Sequence, residues 1–166
     1  MPTLVAIYAS TSGHTEFAVD TIANKLASVL PELKVEKLRA ERAEAKDFER
    51  ADILLLGSGT WNSNGVEGLL NPHMDKLFTE RAGTVDLKQK PTVLLSLGDD
   101  RYYFTARCTE HLQRYLRTHN GKLLLPPLII VNEPYDQTDR IDRWTEKFAL
   151  SVKSLKDWAA LLGAGM

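Results

Sequence analysis

Cysteine is almost missing from this chain: Cys108 stands alone, so no intramolecular disulfide can form. The four histidines, His14, His73, His111 and His119, are scattered and lack the close pairing that a structural zinc site needs. Neither sign of charge dominates, since 21 basic residues stand against 22 acidic ones, and no strong global field draws in nucleic acid or a membrane surface. Long apolar runs are also missing. The longest, Leu123–Val131, is broken by Pro126 and Pro127 and falls well short of the roughly 20 residues that cross a bilayer. The start, Met1-Pro2-Thr3-Leu4-Val5-Ala6-Ile7-Tyr8, has neither the basic segment nor the small-residue cleavage site of a secretion signal, so a cytoplasmic location is expected. Repeats, low-complexity tracts and long linkers are lacking too, and residues 1–166 are expected to form one domain.

What the chain does contain is an alternation. Strand-length apolar segments at Leu4–Ala9, Ile53–Leu56, Val93–Leu97 and Leu123–Val131 are separated by longer stretches with helical spacing, as in a parallel α/β sheet. A thinner segment, Lys34–Leu38, reads as an edge strand, which brings the total to five. Ala18, Ile22, Leu26 and Val29 make one helical stripe, and Cys108, Leu112, Tyr115 and Leu116 make another that Asn120-Gly121 should end. A last helical segment runs from Thr138 to Leu162, with Ile141, Trp144, Phe148, Val152 and Leu155 on one side. Arg81–Lys90 reads as a loop.

Open α/β sheets bind ligands outside the carboxyl ends of their strands, near the point where strand order reverses. Three junctions there are unusual. Ser10-Thr11-Ser12-Gly13-His14-Thr15 sets hydroxyls around one glycine between a strand and a helix start, which suits a phosphate monoester. Gly57-Ser58-Gly59-Thr60-Trp61-Asn62-Ser63-Asn64-Gly65 is read as a loop and offers Trp61 for stacking on a planar ligand. The run from Leu97 through Gly98, Asp99, Asp100, Arg101, Tyr102 and Tyr103 to Phe104 adds aromatics beside a second glycine turn.

These three loops, in this order, resemble the phosphate loop and the two flavin loops of the flavodoxin family, and the resemblance spans nearly the whole chain. It implies a three-layer sandwich with a five-stranded parallel sheet in the order 2-1-3-4-5, in the short-chain form. It also implies an FMN cofactor and an electron carrier, not an enzyme, that shuttles low-potential single electrons between redox partners. An NAD(P)H-dependent reductase is the expected donor, the acceptor is open, and a monomer is expected. By the same resemblance, Ser10, Thr11, Ser12, Gly13, His14 and Thr15 hold the phosphate, while Gly59, Thr60, Trp61 and Asn62 form one wall of the ring site. Tyr102, or its neighbour Tyr103, covers the other face, and the backbone of Ser96, Leu97, Gly98 and Asp99 bonds the pyrimidine edge.

Two departures from the family pattern carry expectations. Arg101 stands where relatives have small or acidic residues and should make the reduced flavin less costly. Asn62 stands where many have a glycine whose peptide turns over to meet the reduced ring, so stabilisation of the one-electron-reduced state should be present but smaller. The competing functions are a flavin-dependent quinone-type reductase and a dedicated reductant of one radical enzyme. A phosphoacceptor receiver is disfavoured because the first strand ends in Ala9-Ser10 without an acidic cluster. Cys108 and Arg114 have the spacing of a cysteine phosphatase signature, but no glycine lies between them and Glu110 does. Asp99 and Asp100 read as turn-solvating carboxylates.

Overall fold

The computed structural model describes residues 1–103, 105–156 and 158–164. Its elements are β1 (Thr3–Ala9), α1 (His14–Val29), β2 (Lys34–Arg39), α2 (Ala45–Arg50), β3 (Ile53–Ser63), β4 (Val66–Leu70), α3 (Pro72–Lys76), β5 (Pro91–Gly98), α4 (Cys108–Thr118), β6 (Lys122–Leu123), β7 (Leu128–Val131), α5 (Thr138–Lys153) and α6 (Trp158–Ala164). Short 3-10 and π turns at Ala40–Arg42 and Leu77–Arg81 complete the set.

The sheet runs β2-β1-β3-β5-β6, with β7 also on β5 and β4 on β3. Every pairing is parallel except β3 with β4. Its five parallel positions are therefore those expected, yet it has seven strands. One addition is the hairpin partner β4. The other arises because the last strand is interrupted: Thr92 pairs with Leu123 but Leu95 with Leu128, a slip of two residues across Leu124–Pro127. Pro126 and Pro127 have no N–H to donate to β5, so the ladder opens there. The Trp144 indole donates to the freed Pro126 carbonyl at 3.1 Å.

Side chains of β1 alternate between two cores. Leu4, Ala6 and Tyr8 face α1 and α5, with Ile22, Leu26, Phe148 and Trp158. Val5, Ile7 and Ala9 face the opposite layer, with Phe48, Met74, Phe78, Leu112 and Tyr115. A sheet covered on both sides needs strands that are apolar throughout, and this is why β1, β3 and β5 read as continuous runs. The edge strand β2 contains no buried residue, in line with its thin apolar content.

The last helical segment divides where a single helix was expected. α5 ends at Lys153 and α6 begins at Trp158, whose side chain turns into the core. Asp157 lies outside the described residues. The α4 stop is as expected: Asn120 takes φ 61°, Asn120 N–H reaches Arg117 O at 3.5 Å and Gly121 N–H reaches Leu116 O at 2.8 Å, a Schellman arrangement. Gly121 is needed for space, since a Cβ there would lie 1.9 Å from Leu116 Cδ1 and 2.8 Å from its Cγ. Gly121→Ala is expected to destabilise the protein by about 1–3 kcal/mol, an overpacking cost read as a lower urea midpoint at unchanged slope.

Candidate functional site

The carboxyl ends of β1, β3, β5 and β7 open into one cavity of about 830 Å³. It lies beside β1 and β3, where the chain steps to opposite sides of β1.

At one end, Ser10 to Thr15 turn from β1 into α1. Gly13 caps the helix at φ 90°, a left-handed conformation that glycine adopts without strain. Ser10 Oγ accepts the Glu16 N–H at 3.3 Å, and Gly13 O accepts the Phe17 N–H at 2.9 Å. The N–H groups of Ser12, Gly13, His14 and Thr15 find no acceptor among the described residues. They form a run of donors at the positive end of a 16-residue helix, a ready-made anion cradle. Arg39 braces it from β2, donating to Ser10 O at 3.3 Å and pairing with Glu16. Thr15 is buried against Gly59, where a Cβ would lie 3.7 Å from Thr15 Oγ1.

The segment expected as a loop after β3 is instead a hairpin. β3 runs on to Ser63, with Trp61 opposite Leu69 and Ser63 opposite Val66 across the two-residue turn Asn64-Gly65, at φ 51° and 77°. Asn-Gly is the strongest short-range hairpin signal, and here it outweighs the local excess of glycine and serine. Register slips between Trp61 and Ser63, where Glu67 and Gly68 of β4 stand opposite Asn62 alone, a bulge with Gly68 at φ 78°, and Asn62 Oδ1 accepts the Gly68 N–H at 3.2 Å. His111 Nε2 lies 3.0 Å from Gly68 O, tying the hairpin to α4. Trp61 is therefore carried on a strand, and it lines the cavity.

The opposite wall follows β5. Gly98 admits no side chain, because a Cβ would lie 2.2 Å from Ala106 N. Thr105 Oγ1 donates to Asp99 O and Tyr102 O at 2.9 and 2.6 Å, folding the loop back on itself. Arg101 clasps Asp99, with Nε 2.8 Å from Oδ2, and the guanidinium holds the Asp99 carboxyl below the usual carboxylate range. Tyr102 lines the cavity at 44% exposure, while Tyr103 is 89% exposed and is not among the lining residues.

Of the residues expected at the site, Ser10, Thr11, Ser12, His14, Thr15, Gly59, Thr60, Trp61, Asn62, Leu97, Gly98, Asp99 and Tyr102 all line this cavity. Gly13, Ser96 and Tyr103 do not: Gly13 serves as the helix cap, and the Ser96 hydroxyl is buried behind β5, bonded to Thr109. Phe104 lies outside the described residues. Sequence reasoning missed Asn71, Thr105, and the end of β7 with the loop after it, where Val131, Asn132, Glu133, Asp136 and Gln137 close the cavity. The carboxyl-end rule applies to the fifth strand as to the others and would have found the residues after β7.

The sequence profile of the family described as flavodoxin matches residues 6–144. The chain belongs to the flavodoxin family. Flavodoxins are electron-transfer proteins that carry a flavin and work with redox partner proteins. This chain is 27% identical over 140 residues to a probable flavodoxin 2 of Bacillus subtilis, covering 81% of the present chain and 85% of the relative. Its fold matches that of oxidised flavodoxin 1 from Bacillus cereus with a TM-score of 0.77 at 24% identity, covering 93% and 99% of the two chains. It also matches the rubredoxin oxygen:oxidoreductase of Desulfovibrio gigas, TM-score 0.71 at 16% identity, covering 92% of this chain and 36% of that one.

The flavodoxin site suits a flavin on its own geometry. It pairs a cradle of N–H donors with two aromatic side chains on separate elements, and Thr60 Oγ1 is buried with no hydrogen-bond partner among the described residues. Its charged lining is acidic, with Asp99, Asp100, Glu133 and Asp136 against Arg101.

Behind this lining, Cys108 is fully buried, its Sγ donating to Ser58 O at 3.3 Å. Burial pushes the thiol up to about 11. The folded value lies above the unfolded one, so this stabilisation is complete below about pH 8.5 and is lost as pH climbs through the folded value, about 3 kcal/mol in all. Burial raises the Tyr115 hydroxyl as well, adding a loss of the same sign at still higher pH. Cys108→Ala is expected to flatten the fall in urea-unfolding free energy between about pH 8.5 and 11. An unchanged slope would show that the thiol ionises freely in the folded protein.

Proposed function

We propose that this cavity binds one FMN and that residues 1–166 act as a single flavodoxin-like domain. In this reading the protein is a cytoplasmic monomer that passes single electrons from an NAD(P)H-dependent reductase to an acceptor enzyme and has no turnover of its own. The observation that carries this reading is the run of unanswered N–H donors from Ser12 to Thr15, set in one cavity with Trp61 and Tyr102. Ser10, Thr11, Ser12 and Thr15 would hold the phosphate with their hydroxyls, and residues 12–15 with their N–H groups. Among the described residues no helix is long and apolar enough to cross a membrane.

A bound flavin supplies one-electron chemistry at its ring, and the chain's residues set how costly each added charge is. The acidic lining and the low polarity of Trp61 and Tyr102 disfavour an anionic ring. Arg101 opposes them, but its charge is matched by the Asp99 carboxylate that it clasps.

Titration of the purified protein with FMN is expected to give one-to-one binding with quenched flavin fluorescence. Riboflavin, which lacks the phosphate, is expected to bind at least ~10-fold more weakly. Equal affinity for the two would mean that the cradle does not hold the phosphate. NAD(P)H oxidation without an added reductase would overturn the carrier reading. Arg101→Ala, which frees the Asp99 charge, is expected to lower the potential of the second electron, and the shift should shrink as salt is added. A potential that does not move at low salt would remove Arg101 from the redox tuning.

A further inference from the structure

The loop between Gly98 and Thr105, which carries Tyr102, is held in place from a different strand. Asn132, the first residue after β7, donates its N–H to Gly98 O at 2.7 Å. Its side chain then meets Asp100 twice: Oδ1 accepts the Asp100 N–H at 3.1 Å and Nδ2 donates to Asp100 Oδ2 at 2.9 Å. Asn132 takes φ 68°, a conformation in which asparagine is among the few tolerated residues besides glycine. The backbone therefore aims the amide at Asp100, and the amide supplies a donor and an acceptor to a residue that presents both. Both residues line the cavity.

We propose that Asn132 is a positioning residue, a latch that fixes the Asp99–Tyr102 segment and with it the aromatic wall over the flavin ring. The inference rests on the reading of the cavity as an FMN site. Among the described residues Asn132 bonds to Gly98 and Asp100, on the wall that carries Tyr102, and to none of Ser10 to Thr15, so its effect falls on the ring and not on the phosphate. Other ionisable groups lining the cavity are Asp99, Arg101 and Tyr102 on the same loop, Glu133 and Asp136 beyond β7, and His14 at the start of α1.

Two substitutions separate the latch from the backbone. Asn132→Gly keeps the left-handed conformation and removes both side-chain bonds. It is expected to weaken FMN and riboflavin by the same factor, about three- to tenfold, and to speed hydrogen exchange at the Asp100 amide in the flavin-free protein. Asn132→Asp keeps an acceptor for the Asp100 N–H but puts a carboxylate oxygen against Asp100 Oδ2. At pH 7 it should weaken binding further, and its Kd relative to that of the parent should recover as pH falls toward 4 and the two carboxylates share a proton. Taking that ratio cancels the titration of the other lining groups, which are common to both proteins.

If Asn132→Gly matches the parent in both flavin affinities and in Asp100 exchange, the inference is overturned while the FMN reading stands. A loss for FMN with none for riboflavin would also overturn it, because the effect would then lie at the phosphate. Failure of the parent protein to bind either flavin overturns the FMN reading and this inference with it.

Discussion

Parallel pairing of β1 on both of its edges is the constraint from which the rest follows. β2 lies on one side of β1 and β3 on the other, both parallel to it, so the chain must cross the sheet in opposite directions after β1 and after β2. The two crossovers place α1 on one face and α2 on the other, leaving an uncovered crevice where they part. Because the strands share one direction, every loop at that end arrives at its carboxyl side, and four of them meet in one cavity. The helix after β1 must start there with its first N–H groups unanswered. An anion-binding site is thus a consequence of topology before any side chain is chosen. What the sequence adds is Gly13, which takes the left-handed turn at φ 90° without strain.

Electrostatics then separates the two ends of the cavity. At the cradle, neutral donors and a helix dipole favour an anion, and the nearby Arg39 is spent on Glu16 and on the Ser10 carbonyl. At the far end, carboxylates outnumber the single arginine, which is itself clasped by Asp99. A ligand with a fixed anionic group and a ring that gains charge on reduction would find its anion stabilised at one end and its added charge disfavoured at the other. Such a polarity suits an electron carrier that must give electrons up readily, and it arises in a chain whose net charge is only −1.

Much of this was legible in the sequence, for a definite reason. Strands buried on both faces must be apolar throughout, so β1, β3 and β5 announced themselves, and the hydroxyl-glycine turn marked the cradle. The hairpin was not recognised although Asn64-Gly65 signals one, because the glycines and serines before it suggested an irregular loop. The slip in the last strand was missed because Leu123–Val131 is apolar throughout; only the absent N–H groups of Pro126 and Pro127 betray it. The division between α5 and α6 leaves no such mark, since the apolar stripe continues across it. The carboxyl-end rule puts Asn132 at the cavity, but its role stays hidden for another reason. Its importance lies in a pairing with Asp100, 32 residues away, and no local pattern encodes a partner at that distance.

The walls of the cavity differ in how they are made firm. Trp61 rides on a paired strand, and the bulge in its partner β4 is closed by Asn62 and Gly68 and backed by His111, so the ordinary hydrogen bonding of a sheet holds it. Tyr102 rides on a loop with no such ladder. The loop instead folds onto Gly98 so closely that no Cβ fits there, and it drives Ala106 to φ 55°. A non-glycine residue in that region costs roughly 1–2 kcal/mol. The cost is offset by bonds from Thr109 N–H and Oγ1 to the Ala106 carbonyl at 3.1 and 2.8 Å, by those of Thr105, and by the apolar contacts of the buried Ala106 side chain. A strained loop persists only where its surroundings over-determine it. Here the surroundings come from α4 behind and β7 beside, so the second aromatic wall is as much a product of the fifth strand as of the fourth.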